Sequence, residues 1–272
     1  MKLREIDFLI IGAAKCATTW LQVQLQENPR VYMPDPELHY FSREFRQGTK
    51  WYTNQFDVPE RARFIGEKSN TYLSDPEACS RIHAVLPNIK LIAQLRNPVE
   101  RAYSDYCMLF RRGAVDADIK SHLNPKNAKG NRFFESGYYA DQLQPFIDAF
   151  GRDALLILDF HNVAKSPETQ LDLVYNHLMI EHRTVEIRKS KSVKDKTEKR
   201  ISPELRKRLK WIKPLAQPFR KNPLFDRIWQ KVAKDPAYPP LTRDLHDALA
   251  EHYQPSMEKL RDLTGWDSEN WT

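Results

Sequence analysis

"FLIIGAAKCATTW", residues 8–20, decides how the chain is read. Residues 8–11 are an unbroken apolar run, the pattern of a strand buried on both faces of a parallel sheet. Gly12 ends the run and small residues follow. Trp20, Leu21 and Leu25 then recur at helical spacing, up to Asn28 and Pro29. A strand that turns directly into a helix leaves free backbone N–H groups at its carboxyl end, and the helix dipole favours an anion there. Lys15 adds a point charge, and Thr18 and Thr19 add hydroxyl donors. The turn is a candidate anion site; a plain polar turn is the alternative for this segment taken alone. It is not the G-x-x-x-x-G-K-[ST] loop of kinases. Its lysine comes three residues after Gly12, no second glycine follows, and Ala17 precedes the threonines, so it shows no obvious place for magnesium.

Outward from this stretch, strands and helices alternate. Further strands are expected at residues 64–68, 89–96 ("IKLIAQLR") and within 154–160 ("ALLILDF"). Pro98 sits where a helix begins, and Ala102, Tyr103 and Tyr106 give that helix an apolar stripe. More helices are expected over residues 138–150, from Ser166-Pro167-Glu168 onward, and over 242–263. This alternation specifies an α/β chain, with helices on both faces of a parallel sheet. The expected architecture is a three-layer, P-loop-like fold with a helical C-terminal extension, all in one domain over residues 1–272.

Composition narrows the classes. At 272 residues and 41% hydrophobic the chain can bury a full core. The N-terminus is charged, and the first apolar run is interrupted by Lys15, far short of a membrane span. Cys16, Cys79 and Cys107 show neither disulfide nor metal spacing, so a reducing, cytoplasmic setting is expected. Cys16 falls at a helix N-terminus, which favours thiolate, yet nothing nearby suggests nucleophilic use. The net charge of +7 is uneven: residues 183–234 carry 18 Lys/Arg against 5 Asp/Glu, a surplus of 13 that leaves the remainder at −6. Such a block serves as a solvated face, a nucleic-acid surface or a lid over a polyanion; residues 183–240 are read as a basic, proline-punctuated lid or extension.

Three further motifs fall on the ligand edge of the sheet, the carboxyl ends of its strands. In "PDPELHYF", Glu37 and His39 stand two apart, and either can act as a base. In "GEKSNTYL", Glu67 and Lys68 close a strand. In "LRNPVERAYSDY", Arg96 closes another and Ser104 lies about two helical turns on, a pairing able to grip one phosphate.

With these motifs in this order, the chain resembles sulfotransferases that use 3′-phosphoadenosine 5′-phosphosulfate (PAPS), the branch of the heparan sulfate N- and 3-O-sulfotransferases and bacterial relatives. "SGYYADQLQPFIDAFGRDALLILDF" and the C-terminal segment add to the likeness. The resemblance implies that Lys15, Ala17, Thr18, Thr19 and Trp20 bind the 5′-phosphosulfate, and that Arg96 and Ser104 bind the 3′-phosphate. It implies Glu37 as the catalytic base, with His39 beside it as the alternative, and Lys15 and Lys68 near the transferring group. Tyr138 matches a tyrosine that touches the nucleotide. Lys196, Lys199 and Arg200 fall where relatives close a loop over PAPS, though that match is loose.

The chemistry implied is in-line sulfuryl transfer to a hydroxyl or amine, releasing 3′-phosphoadenosine 5′-phosphate (PAP). Lysines oppose the charge on the leaving oxygen, so no metal is expected. A small-molecule or glycan acceptor is expected, with neither nucleic acid nor stable membrane insertion. Residues 45–56 and 111–133 are expected to form the acceptor side, the second as a gate. Trp211, Trp229, Trp266 and Trp271 read as packing residues, and His83, His122 and His161 fit no pattern. The rivals are a small-molecule kinase, which needs a loop this chain lacks, and a nucleic-acid-binding protein using the basic block, which has few interleaved aromatics and no recognised module.

Overall fold

The structure, a computed structural model, describes residues 1–181, 237–266 and Trp271. Lys196, Lys199, Arg200, Trp211, Trp229 and nearly all of the basic block lie outside the described residues. Five strands, β1 (Phe8–Gly12), β2 (Val31–Tyr32), β3 (Phe64–Lys68), β4 (Lys90–Leu95) and β5 (Leu155–Asp159), form one sheet in the order β2-β3-β1-β4-β5. Every pairing is parallel. The helices that follow the strands are α1 (Thr18–Gln26), α2 (Gly48–Thr53), α3 (Ala78–Val85), α4 (Pro98–Arg112), α5 (Ile119–His122), α6 (Arg132–Glu135), α7 (Tyr139–Phe150), α8 (Asn162–Lys165) and α9 (Pro167–Leu178); the C-terminal α10 is Arg243–Thr264.

The strands lack polar alternation because both faces are covered. In β1, Phe8 and Ile10 pack with Trp20 and Leu21 of α1 and Val174 of α9. Leu9 and Ile11 point the other way, into a cluster with Ile82 of α3 and Leu143 of α7. β4 repeats the division: Ile92 joins the first cluster, and Leu91, Ala93 and Leu95 the second. The two-residue period of a strand thus survives inside a mostly apolar sequence. One glycine is required by this packing. A Cβ on Gly66 would lie 2.1 Å from Phe8 Cζ, so the ring of the paired strand occupies its place.

Local signals place the helix ends. Asn97 caps α4 by accepting from the Val99 and Glu100 amides, Pro98 occupies the first turn, and Gly113 closes the helix at φ 70°. The short β2 and α2 were not expected from sequence; two strand residues and one and a half helical turns carry no periodicity to read. Residues 111–133, expected as a gate, contribute Ile119, Leu123, Ala128 and Phe133 to a cluster with Leu245, Leu249 and Tyr253 of α10. Among the described residues no helix is long and apolar enough to cross a membrane.

Candidate active site

The turn after β1 is held on several sides. A Cβ on Gly12 would stand 2.8 Å from Leu73 Cβ, so the 70–73 segment packs directly on the turn. Ala13 N–H donates to the Gln94 carbonyl (2.9 Å), and Gln94 Nε2 donates to the Cys16 carbonyl. The Tyr139 hydroxyl lies 3.8 Å from Cys16 Sγ and donates to the Arg96 carbonyl at 2.8 Å. Lys15 (φ 74°) and Ala17 (φ 61°) adopt left-handed backbone, which costs about 1 kcal/mol or more per non-glycine residue. That strain turns the chain sharply into α1. Ala17 has no side-chain oxygen, so α1 starts without a side-chain cap, and its first turn holds no acidic residue. Its open N–H groups therefore remain suited to an external anion. Thr18 and Trp20 are buried beneath, while Thr19 is partly exposed. Cys16 is fully buried, and burial pushes its thiol up to about 11, against Arg101, Tyr139, Arg96 and Lys15, which pull it down. The thiolate expected from its helix-end position does not form, because desolvation outweighs the nearby positive charge.

Residues 67–71, Glu-Lys-Ser-Asn-Thr, form the centre of the site, and their alternation divides the work. Lys68 and Asn70 grip Glu37: Lys68 Nζ lies 2.9 Å from Glu37 Oε1, and Asn70 donates its backbone N–H to Oε2 (3.1 Å) and its side-chain amide to Oε1 (3.2 Å). Lys68 Nζ also donates to Thr19 Oγ1 on α1 at 3.1 Å. One ammonium thus joins the first turn of α1 to the carboxylate, with Lys68 3% and Glu37 20% exposed along their side chains. Ser69 and Thr71 grip His39: the His39 N–H donates to Ser69 Oγ (2.7 Å), and His39 Nδ1 lies 2.9 Å from Thr71 Oγ1. Burial and then the charge of Arg43 hold His39 below its ordinary pKa, against Glu37, so its ring is neutral at pH 7. His39 Nε2 stands 3.7 Å from Glu37 Oε2, beyond a hydrogen bond. His39 also has φ 52°, so three of the four described non-glycine residues at positive φ belong to this site.

Arg96 sits just past β4. Its Nε donates to Glu100 Oε2 (2.9 Å), and its guanidinium carbon lies 4.2 Å from the Phe160 ring centroid. Ser104 lies on α4, partly buried, and no hydrogen bond joins it to Arg96. Tyr138 precedes α7. Its hydroxyl lies 2.7 Å from His252 Nε2 of α10, and it lines a cavity of about 300 Å³ with Leu73, Pro145 and Phe146. Trp271 and Trp266 pack edge to face at 4.8 Å, and Trp271 Nε1 donates to Asp159. His83 packs on Phe150, His122 pairs with Asp116, and His161 lies between Asp159 and Glu100.

Sequence reasoning missed Gln94, Asn70, Ser69 and Thr71. Gln94 was signalled by its place in an otherwise apolar strand, where a buried amide must find partners. For residues 69–71 the only signal was polarity just past a strand end.

Comparison with known proteins gives this geometry its family. Residues 41–184, more than half of the chain, match the family described as Sulfotransferase family. That span covers Lys68, Arg96 and Ser104; Lys15 and Glu37 precede it. The chain is similar to human bifunctional heparan sulfate N-deacetylase/N-sulfotransferase 2, 31% identical in an alignment 193 residues long that covers 64% of this chain and 22% of the human protein. It is also similar to mouse heparan sulfate glucosamine 3-O-sulfotransferase 3B1, 28% identical over 62% of this chain and 45% of that protein. The chain thus spans only a part of these relatives. In fold it is similar to a sulfotransferase from Alicyclobacillus acidocaldarius, at TM-score 0.70 and 22% identity over 98% of both chains. The chain belongs to the sulfotransferase family.

Proposed function

We propose that the chain moves a sulfuryl group from PAPS to a hydroxyl or amine of an acceptor, with Glu37 as the general base. The observation that carries the reading is the Thr19–Lys68–Glu37 chain of contacts, which sets an acid-free, uncapped helix N-terminus, a buried cation and a carboxylate side by side. The N–H groups of α1, with Lys15, Thr18 and Thr19, fit the 5′-phosphosulfate. Arg96 and Ser104 fit the 3′-phosphate, and Tyr138 fits the nucleotide. Lys15 and Lys68 oppose the negative charge that grows on the leaving oxygen, a contribution of roughly 3 kcal/mol per donor. Glu37 accepts the proton that the attacking hydroxyl or amine must lose, worth about 10²- to 10⁴-fold in rate. Lysines in these positions supply the charge that magnesium supplies in phosphoryl transfer. Relatives named for heparan sulfate favour a carbohydrate acceptor. The proton-accepting role goes to Glu37 rather than His39, because its contact with Lys68 places Glu37 beside the group that Lys68 serves.

The test combines calorimetry with turnover. PAP should bind and raise the thermal midpoint, while ATP with magnesium should not. Radiolabelled PAPS with N-desulfated heparin should yield labelled glycan, and Glu37→Gln should lose at least a hundredfold in rate with PAP affinity within about twofold. A chain that ignores PAP ends the proposal; a Glu37→Gln variant with full turnover ends the assignment of the base.

A further inference from the structure

Glu67 is fully buried, yet it enters no step above. Its surroundings are aromatic: Tyr52 is buried beside it, stacked on Tyr40 at 4.3 Å and edge-on to Phe41 at 5.5 Å. A carboxylate in such a place costs several kcal/mol, and an apolar side chain of similar volume is often as stable or more so. Packing alone does not account for it. Its hydrogen bonds point to a role. Ser69 Oγ accepts the His39 N–H, so its single proton is directed to Glu67 Oε1, at 2.5 Å. The Tyr52 hydroxyl donates to Oε2 at 3.3 Å. The main chain at His39 is the left-handed point of the segment that also carries Glu37, and it has no glycine to ease it.

We infer that Glu67 is the positioning residue for the general base: by fixing the Ser69 hydroxyl it pins the His39 amide, and through that strained backbone it sets Glu37 against Lys68. The inference rests on Glu37 being the base. Glu67 and Lys68 are neighbours in β3 that pair with Leu9 and Ile10, so they leave the strand on opposite faces. One residue of the pair bonds the carboxylate from the α1 side, and the other braces its loop from the aromatic side. A glutamine at position 67 still offers Ser69 an acceptor and reverses the Tyr52 bond. A leucine fills the space and offers none.

The experiment compares Ser69→Ala, Glu67→Leu, Glu67→Gln and Glu37→Gln in the whole chain. Amide hydrogen exchange is followed over residues 37–42 in chains saturated with PAP, and, in separate samples free of added PAP, PAP release from PAPS is followed with N-desulfated heparin and with water alone. Ser69→Ala and Glu67→Leu should exchange at least tenfold faster over residues 37–42 and release PAP at least tenfold more slowly. Their PAP affinity should stay within twofold and their thermal midpoint should not fall in proportion. Glu67→Gln should stay within threefold of wild type in exchange over residues 37–42, in PAP release and in PAP affinity. Unchanged exchange over residues 37–42 in both Ser69→Ala and Glu67→Leu overturns the inference. So does a Glu67→Gln variant as slow and as loose as Glu67→Leu. If Glu37→Gln keeps its rate while Ser69→Ala loosens the segment, the brace stands and the base assignment falls. If Glu37→Gln loses its rate while Ser69→Ala and Glu67→Leu keep theirs, the brace falls alone.

Discussion

Replacing Glu67 by glutamine should change how stability depends on pH. Burial raises the Glu67 carboxyl from 4.5 to about 7, and hydrogen bonds from Ser69, Tyr72 and Tyr52 reverse only part of that. Its folded pKa therefore lies above its unfolded one. Between pH 4.5 and 7 the folded chain keeps a proton that the unfolded chain has released. The stability this group contributes is full below 4.5 and is lost as pH rises through 7. One pKa unit corresponds to about 1.4 kcal/mol, so the whole displacement is worth about 3 kcal/mol. Glutamine carries no charge and escapes the loss. Urea unfolding followed by tryptophan fluorescence at pH 4.5 and pH 8 gives four stabilities. Glu67→Gln minus wild type should shift by about 3 kcal/mol toward the variant over that range. Taking the difference removes His39, His177 and Asp7, whose pKa values are also displaced but which both chains share. A flat difference refutes the burial cost assigned to Glu67, and a shift toward wild type means that its hydrogen bonds outweigh that cost.

Gly66→Ala should destabilise the chain by about 1–3 kcal/mol, since its methyl would meet the Phe8 ring; thermal unfolding reports it, and Phe8→Leu in the same chain should recover part of the loss. Asp105→Asn should cost about 3–5 kcal/mol in urea. Asp105 accepts from Arg132 at 3.0–3.2 Å and lies 3.9 Å from fully buried Arg101, whose charge the substitution would leave uncompensated.

The fold was legible because its signals are local or periodic. Residues 8–11, 89–96 and 154–160 are apolar runs that only a sheet covered on both faces can bury, and β1, β4 and β5 lie there. Pro98 marks the start of α4 without any tertiary information. The candidate site was partly legible for the same reason: Lys15, Lys68 and Arg96 are charges placed at or just past strand ends, and parallel topology brings those ends to one edge. Sequence could name Glu37 and His39 but not their partners. The bonds from Lys68, Asn70, Ser69 and Thr71 cross about thirty positions of chain, and no spacing rule predicts them. Nor could it tell that burial raises the Cys16 thiol, because a thiol at a helix start ionises or not according to the water left around it. Sequence by itself determined four of the sheet's five strands, their covered faces and the charged residues along its edge, since burial periodicity and capping act between near neighbours. Tertiary structure alone decided which donor meets which acceptor and how dry each group becomes, because desolvation depends on everything packed around an atom, wherever it lies in the chain.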